Sequence, residues 1–370
     1  MSPAIFFLAD RIKAATAART ELRIRGGGTK DFYGEPRNDE PPKAETLDTR
    51  GLSGITSYEP SELVVTVLAG TPLAELEALL ASQGQCLPFE PPHFGAGATV
   101  GGMVASGLSG PARASVGSVR DYVLGMTMIN GRGESLTFGG QVMKNVAGYD
   151  VSRLVAGSLG TLGLIVEVSL KVLPVAPAEA TLKFSMAQAD ALRRLNQWGG
   201  QPLPLNASCW VDAAGENTLY LRLRGAAAAV QAACDKLGGE RQDNALVASD
   251  WSLCRDQQLP WFLERGEREL WRLSVPQTAP VLDLPEPPLV EWHGAERWVR
   301  VEPGQGARLR EVARSVGGHA TLFRPVDDKG PTSTNRFQPL DPVLMRIHRE
   351  LKHEFDPASI FNPGRLYPDL

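Results

Sequence analysis

The stretch "RIRGGGTKDFYG", Arg23–Gly34, places three consecutive glycines between a short apolar strand pattern and a polar loop. Glycine inside a folded segment costs conformational entropy, so three in succession require a physical reason. Because glycine has no β carbon, main-chain N–H groups in such a turn can converge on the oxygens of a phosphate. One wall of a pyrophosphate site is therefore expected here, and its residues are Arg25, Gly26, Gly27, Gly28 and Thr29.

Two further glycine-rich segments lie in the same half of the chain. The first, "PPHFGAGATVGGMVASGLSG", covers Pro91–Gly110, and the second, "NVAGYDVSRLVAGSLGTLGLI", covers Asn145–Ile165. Residues 97–102, with the hydroxyl of Thr99, are expected to supply a second wall of the anion site. A single glycine turn is common, but three in one region, each at a predicted strand end, indicate a shared ligand.

The two familiar phosphate-binding motifs do not fit these segments. Gly95-x-Gly97 would need a third glycine at position 100 to complete a dinucleotide fingerprint, and Val100 stands there. No βαβ unit with an acidic residue at the right distance follows. The Gly-Lys-Ser/Thr triplet of a P-loop does not occur in the chain. The pattern thus indicates a phosphate cradle that is neither Rossmann nor P-loop.

The first half of the chain predicts an α+β arrangement. "ELVVTVLAG" reads as a strand, and a helix is expected to follow, with Thr71 as its N-cap and Pro72 at its first position. "VLGMTMINGRGESLTF" predicts two strands joined at Asn130-Gly131, a dipeptide that suits a tight hairpin turn. From about residue 176, the order strand, helix, strand, strand, helix resembles a ferredoxin-like half. Two such halves predict an antiparallel sheet with helices on one face.

Composition divides the chain into three predicted regions, residues 1–175, 176–330 and 331–370. The first holds most of the glycine, and the second holds all seven tryptophans. We expect these tryptophans to pack the predicted sheet against its helices. The last region opens with a polar loop and continues as a helix.

Bulk properties exclude several classes of protein. With 43% hydrophobic and 22% charged residues, the chain is typical of soluble globular proteins, and its net charge of −4 argues against nucleic-acid binding. No apolar run reaches the roughly 20 residues that span a bilayer. The N-terminal "AIFFLAD" predicts a helix and not a signal peptide. A cytoplasmic protein is expected.

The cysteines and histidines predict no metal site. Cys86, Cys209, Cys234 and Cys254 are widely spaced and form no CxxC pair, which argues against an iron–sulfur cluster, a zinc site or a disulfide framework. His348 and His353, five residues apart on a predicted helix, point in different directions.

Taken together, the three glycine-rich segments resemble the flavin-binding domain of the vanillyl-alcohol oxidase and p-cresol methylhydroxylase family. The matching pieces include "RIRGGGT", "GAGATVGGMVASGLSGPAR", "GSVRDYVLGMTMINGRGE" and "KNVAGYDVSRLVAGSLGTLGLIVEVSLKVLP". The tail "FDPASIFNPGRLY" resembles the closing motif of that family. The resemblance implies a two-lobed FAD-binding domain in residues 1–175, a smaller antiparallel cap in 176–330, and a C-terminal segment, 331–370, that returns to the FAD domain.

The resemblance also implies which residues hold FAD. Main-chain amides of the first two segments would bind the pyrophosphate, the third segment would line the adenosine and flavin, and the closing motif would return near the isoalloxazine ring. Beyond the first wall given above, the residues implied are Ala98, Thr99, Gly101, Gly102, Gly148, Tyr149, Asp150, Leu154, Gly160, Thr161, Gly163, Ile165 and Asn362.

Within that family the chain is similar to the FAD-binding E subunits of bacterial glycolate oxidases. This similarity implies oxidation of glycolate, or of D-lactate, to the 2-oxo acid. It further implies a larger FAD-containing subunit and an iron–sulfur subunit as partners, the latter receiving electrons from the flavin. Such a complex would bring the chain to the inner face of the membrane only indirectly.

Two departures from the wider family shape these expectations. Thr29 stands where covalent members often carry a histidine, so we expect FAD to be bound non-covalently. Larger D-2-hydroxy-acid dehydrogenases of the family carry a histidine-based metal site in the cap, whereas this cap has only His293 and His319. The second departure opposes independent substrate oxidation by this chain.

Several alternatives stay open at this level. The chain could be a non-catalytic FAD-binding assembly or electron-relay subunit, or another flavoprotein of the same fold, such as an alditol oxidase or an enolpyruvyl-sugar reductase. The sequence does not identify a catalytic base. A substrate carboxylate would need an arginine, and the predicted cap strands offer Arg272, Arg300 and Arg324, each of which has an equally good structural interpretation.

Overall fold

The structure, a computed structural model, describes residues 3–36, 44–140, 150–213, 215–327 and 335–370. Two short 3-10 turns lie at Pro60–Glu62 and Trp292–Gly294. The α-helices of the described residues are α1 (Pro3–Ala18), α2 (Leu73–Ser82), α3 (Val100–Ser106), α4 (Arg113–Val116), α5 (Val119–Tyr122), α6 (Val151–Val155), α7 (Gln188–Gly199), α8 (Ala227–Leu237), α9 (Asn244–Arg255), α10 (Pro260–Leu263), α11 (Gly306–Ser315) and α12 (Pro342–Phe355).

The strands form two large antiparallel sheets and two small ones. They are β1 (Leu22–Arg25), β2 (Glu45–Asp48), β3 (Ile55–Glu59), β4 (Val64–Leu68), β5 (Gln85–Cys86), β6 (Val123–Ile129), β7 (Ser135–Gly139), β8 (Leu164–Lys171), β9 (Leu173–Pro174), β10 (Ala178–Ser185), β11 (Leu205–Ala213), β12 (Glu216–Gly225), β13 (Glu240–Arg241), β14 (Glu269–Ser274), β15 (Leu289–Glu291), β16 (Glu296–Val301) and β17 (His319–Arg324).

The glycine-rich segments surround a five-stranded sheet with the order β3-β4-β8-β6-β7. Helix α2 buries the predicted apolar face of Leu73, Leu76 and Leu80 in the core beneath this sheet. A parallel pair, β1 and β2, lies beside it and packs with α1 on a separate small core. The C-terminal segment extends this pair, because Phe361 forms a parallel bridge with Leu22.

Two local predictions in this part were wrong. The side chain of Thr71 does not cap α2, because its hydroxyl exchanges hydrogen bonds with the main chain of Gly54, accepting at 2.9 Å and donating at 3.2 Å. The connection between β6 and β7 is also longer than a tight turn at Asn130-Gly131. The N–H of Asn130 donates to the carbonyl of Glu134, and Gly133 carries the positive φ of +72°.

The eight-stranded sheet has the order β13-β10-β12-β11-β15-β16-β14-β17. Strands β10–β13 form one half of this sheet and β14–β17 form the other. When the strands of each half are numbered in chain order, they lie side by side in the order fourth, first, third, second, which is the ferredoxin-like arrangement. The second half departs from that pattern because the described residues between β14 and β15 contain no α-helix. The predicted class, α+β with an antiparallel-sheet cap, is confirmed.

Helices pack on both faces of this sheet, and not on one face as expected. α7, α8 and α11 cover one face. α9 and α10 pack on the other face. Aromatic side chains from the glycine-rich half of the chain, residues 1–175, pack there too and include Tyr33 and Phe94. All seven tryptophans are buried, so the predicted packing role is confirmed. The boundaries near residues 175 and 330 remain predictions.

A partly buried carboxylate in the loop after β5 joins the glycine-rich half of the chain to the eight-stranded sheet. Glu90, from the loop after β5, accepts hydrogen bonds from Arg222 at 2.7 Å and Arg224 at 2.9 Å on β12. Burial by itself would raise the pKa of Glu90, but the two guanidinium groups outweigh it and hold that pKa below its usual value. The contact holds the eight-stranded sheet in place over the glycine-rich unit.

Candidate functional site

The two glycine loops that were predicted as facing walls lie in main-chain contact. A β carbon added at Gly27 would overlap the carbonyl oxygen of Gly97, and one added at Gly26 would overlap the hydroxyl of Thr99. Side chains at positions 26 and 27 are therefore excluded by the second loop itself. The structure thus places the strand end of β1 directly against the loop that precedes α3.

The first loop carries a row of unused hydrogen-bond donors. Among the described residues, none accepts a hydrogen bond from the main-chain N–H groups of residues 26–29. Gly28 has a φ of +75°, a backbone conformation that glycine adopts at little cost. Successive free N–H groups of this kind form a nest for anionic oxygens. The loop has the donors that a pyrophosphate requires.

One cationic side chain lies against this row of donors, and a second follows it in the chain. The guanidinium of Arg25 covers Gly28 and is held at 2.8 Å by Asp31. Lys30, which the sequence analysis did not select, directs its Nζ toward the carbonyl of His93 at 3.4 Å. Burial lowers the pKa of Lys30 to about 8, against the opposing effect of Asp256. The sequence feature that could have pointed to Lys30 is its position directly after Thr29, the last residue of the predicted first wall.

In the second loop, part of the predicted donor set is already used. The hydroxyl of Thr99 accepts from the N–H of Gly102 at 3.2 Å and so caps α3. The N–H of Gly101 donates to the carbonyl of Ala69 at 2.7 Å, and a β carbon there would approach Ala69 equally closely. Ala98 is buried beside them. The N–H groups of Gly101 and Gly102 are therefore already bonded, whereas no described residue accepts a hydrogen bond from the N–H groups of Gly97 and Thr99.

The residues predicted in the third segment are spread over different places. Gly148 and Tyr149 lie outside the described residues. Asp150 caps α6 and pairs with Arg153, and Leu154 is 43% exposed on that helix. The loop before β8 carries Gly160, Thr161 and Gly163, and Ile165 lies within the strand. This loop lies close to β1, because a β carbon added at Gly160 would lie 3.7 Å from the side chain of Ile24.

Asn362 joins three predicted parts of the site. Its side chain accepts a hydrogen bond from the N–H of Ile24 at 2.9 Å and donates to the carbonyl of Leu159 at 2.7 Å. The closing motif therefore holds the strand of the first wall against the third segment. Arg365 extends this contact by donating to the carbonyls of Asp31 and Tyr33, both at 2.6 Å.

A buried polar cluster lies where the eight-stranded sheet meets the second glycine segment. A cavity of about 20 Å³ there is lined by Gly110 and by Arg272, Glu291 and Glu296 of the sheet. Glu291 accepts from the indole N–H of Trp298 at 2.8 Å. Burial raises the pKa of Glu291 to about 7 and also raises that of Glu296. Glu291 and Glu296 were not predicted as site residues, because nothing in the neighbouring sequence marks their side chains as buried.

The three candidate arginines have different surroundings. Arg272 lines the small cavity, donates to the Tyr33 hydroxyl at 3.2 Å and lies 4.0 Å from a carboxylate oxygen of Glu296. Arg300 donates to the carbonyl of Trp261 and stacks on its ring. Arg324 stacks on Phe32 with 3.6 Å between guanidinium carbon and ring centroid.

The described residues contain neither a metal-binding cluster nor a membrane-spanning helix. No group of three or more histidine, cysteine, aspartate or glutamate side chains in the described ranges is arranged to hold a metal ion. Among the helices of those same ranges, none combines the length and apolar character needed to cross a membrane.

The chain is similar to known FAD-binding proteins both in sequence and in fold. Residues 8–139 match the model of the FAD binding domain family. The chain is 44% identical to glycolate oxidase subunit GlcE of Escherichia coli over 98% of its own length and 97% of that protein. It is 25% identical to a D-lactate dehydrogenase of Archaeoglobus fulgidus over 97% of its length and 88% of that protein.

A solved structure of alkyldihydroxyacetonephosphate synthase shares the fold, with a TM-score of 0.64 at 15% identity over 97% of this chain and 74% of that one. The matched FAD binding domain and the similarity to glycolate oxidase subunit GlcE and to a D-lactate dehydrogenase define an FAD-dependent oxidoreductase. More particularly, the chain belongs to the family of the glycolate oxidase subunit GlcE.

The residues present fit FAD. The free N–H groups of residues 26–29 suit the oxygens of a pyrophosphate. Arg25 supplies positive charge beside Gly28. The earlier expectation of an FAD site is confirmed as far as the cofactor is concerned, and the residue assignments remain predictions.

Proposed function

We propose that this chain is the FAD-binding subunit of a complex that oxidises glycolate, or D-lactate, to the corresponding 2-oxo acid. The observation that carries the proposal is the loop of free N–H donors at residues 26–29 in a chain 44% identical to a glycolate oxidase subunit. In this proposal the loop, with Arg25 and Lys30, holds the pyrophosphate of FAD. Asn362 keeps β1 in position against the third segment.

When bound, FAD supplies a two-electron acceptor for a hydride equivalent from the α-carbon of the hydroxy acid. The protein must then hold the substrate carboxylate and accept the hydroxyl proton. Arg272 and Glu291 are the cation and the acid that line one cavity beside the second glycine segment. Since the pKa of Glu291 lies at about 7, the carboxyl can exchange a proton near neutral pH.

Electrons would leave through partner subunits, a larger FAD-containing chain and an iron–sulfur chain. The four cysteines support this part, since all four are free thiols and lie outside any metal-binding group of the described residues. The complex would work in the cytoplasm and reach the inner face of the membrane only through those partners.

A second candidate is a subunit that binds FAD for assembly or electron relay and does not itself oxidise substrate. The observation that favours it is the size of the cavity beside Arg272 and Glu291, about 20 Å³, which has room for about one water molecule. In this alternative, the partner flavoprotein carries out the chemistry on the hydroxy acid.

One experiment tests the proposal and separates the two candidates. The chain is purified alone, its flavin absorbance is recorded, and glycolate or D-lactate is added without oxygen. Bleaching of the flavin band supports catalysis by this subunit, and bleaching only after partner subunits are added supports the relay. A colourless protein under all conditions would refute both.

A further inference from the structure

Helix α12 has an unusual distribution of apolar side chains. Its one buried residue is Lys352, whereas Val343, Leu344 and Ile347 are 57%, 44% and 42% exposed. A helix on the surface of a globular protein normally turns its apolar stripe toward the core. α12 presents part of that stripe to solvent.

The buried lysine fixes this orientation. The ammonium group of Lys352 donates to the carbonyls of Thr161 and Phe361, both at 2.8 Å, and to the carboxylate of Asp356 at 2.7 Å. The bonds to Thr161 and Phe361 join α12 to other parts of the chain and hold it at one rotation about its axis, and Asp356 is the C-cap of the helix itself. Val343, Leu344 and Ile347 are therefore directed outward by the fold itself.

A groove adjoins the exposed stripe. A cavity of about 280 Å³ lies between α12, α6 and the C-terminal tail, and its apolar lining includes Leu154, Leu351 and Leu366. Leu154 continues the apolar surface, since it is 43% exposed on α6. We call the set Val343, Leu344, Ile347 and Leu351, all on α12, the α12 surface.

Two polar groups in the groove have no partner within the described residues. Arg120 lines the groove and makes no ion pair there. The hydroxyl of Ser158, in a residue that is 6% exposed, makes no hydrogen bond. An exposed, unpaired guanidinium beside an apolar surface is complementary to a carboxylate flanked by apolar side chains.

We propose that the α12 surface docks a segment of another subunit that carries apolar side chains next to a carboxylate, with Arg120 receiving the carboxylate. The inference rests on the proposed function, because it assumes that the chain works in a hetero-oligomeric complex. Exposed apolar patches rimmed by polar residues commonly mark such contacts.

A second copy of this chain fits the surface less well. In a two-fold dimer the same patch would meet itself. The acidic groups nearest the groove are already paired, Asp150 with Arg153 and Asp369 with Arg349. Neither of these two carboxylates is free to pair with Arg120 of a second copy, whereas an acidic segment of a different subunit would supply a free one.

The test uses the chain co-expressed with the proposed flavoprotein and iron–sulfur subunits. Ile347→Glu places a charge in the α12 surface, and Leu246→Glu is the matched control, because Leu246 is a 72% exposed leucine on α9. We expect Ile347→Glu to reduce the amount of co-purified partner at least tenfold and Leu246→Glu to leave it unchanged. Both variants should keep the flavin content and melting temperature of the wild type.

Hydrogen exchange of the wild-type chain gives a second readout. Amides of α12 should exchange more slowly in the complex than in the chain alone. Full partner retention by Ile347→Glu, protection of α12 already in the isolated chain, or a homodimer that Ile347→Glu dissociates would each overturn the surface assignment. If the wild type forms no complex at all, the proposed function fails instead, so the two failures are distinguishable.

Discussion

The main chain of Gly27 lies against that of Gly97, so two loops far apart in sequence share one contact surface. A β carbon at Gly27 would overlap the Gly97 carbonyl oxygen, whereas one at Gly97 would lie 3.3 Å from the Gly27 oxygen. The requirement for glycine is therefore strict at position 27 and weaker at position 97. The free N–H donors of residues 26–29 depend on this close approach.

We predict that Gly27→Ala, and more severely Gly27→Val, disrupts FAD binding. The new side chain must push the two loops apart, which moves the donors away from one another. We expect at least a hundredfold loss of FAD affinity, measured by flavin fluorescence titration. Gly51→Ala is the control, because a β carbon there would meet no heavy atom within 4 Å. Full FAD retention by Gly27→Ala would count against the assignment of this loop.

FAD should be released when the protein is denatured with acid. Thr29 follows the glycine triplet and offers no imidazole for a covalent bond to the flavin. After precipitation with trichloroacetic acid, we expect the yellow colour in the supernatant and a colourless pellet. Flavin that remains on the precipitated polypeptide would show a covalent bond and contradict the prediction.

Lys352→Met should destabilise the protein strongly. The ammonium of Lys352 is bound to Asp356, which is fully buried, so its removal leaves an uncompensated carboxylate in the core. Losing one partner of a buried pair costs about 3–5 kcal/mol of the free energy of unfolding. Urea denaturation should show this loss.

Lys13→Met is the matched control for that measurement, since Lys13 and Asp10 form an exposed pair at 3.7 Å. An exposed pair contributes about 1 kcal/mol or less. Equal losses in the free energy of unfolding for the two substitutions would show that the buried pair stabilises the protein no more than the exposed pair does.

The protein should lose stability below pH 6.5 because of His293. The imidazole lies between the hydroxyls of Ser115 and Ser208, and burial lowers its pKa to about 4. Between pH 6.5 and 4, the unfolded chain takes up a proton at this residue and the folded chain does not. The free energy of unfolding therefore falls with falling pH, by about 3 kcal/mol in total from this residue.

The contribution of His293 is isolated by comparing the wild type with His293→Gln. We expect the stability difference between the two to shift by about 3 kcal/mol in favour of the variant between pH 7 and 4. Other groups, including Glu291, titrate in both proteins and cancel in the difference. A difference that does not change with pH would refute the lowered pKa.

Local chemistry is what made part of this protein predictable. The glycine loops were found because close approach of main chain excludes side chains, a requirement visible at the positions themselves. The α2 face of Leu73, Leu76 and Leu80 followed from helical spacing. Thr71 was predicted wrongly because a tertiary partner, Gly54, bound its hydroxyl in place of the helix N-terminus. A capping preference that is read from neighbouring residues fails when a residue distant in sequence binds the same side-chain hydroxyl.

The sequence alone determined the α+β class and the three glycine-rich segments, because periodicity and the absence of side chains are properties of neighbouring residues. The FAD-binding family followed from the resemblance of those segments to a known family. The tertiary structure decided which N–H groups are free, that Asn362 joins β1 to the loop before β8, and that Lys352 is buried while Ile347 is exposed. Burial and hydrogen-bond partners depend on contacts between residues far apart in the chain. Those contacts exist only once the fold has brought the segments together.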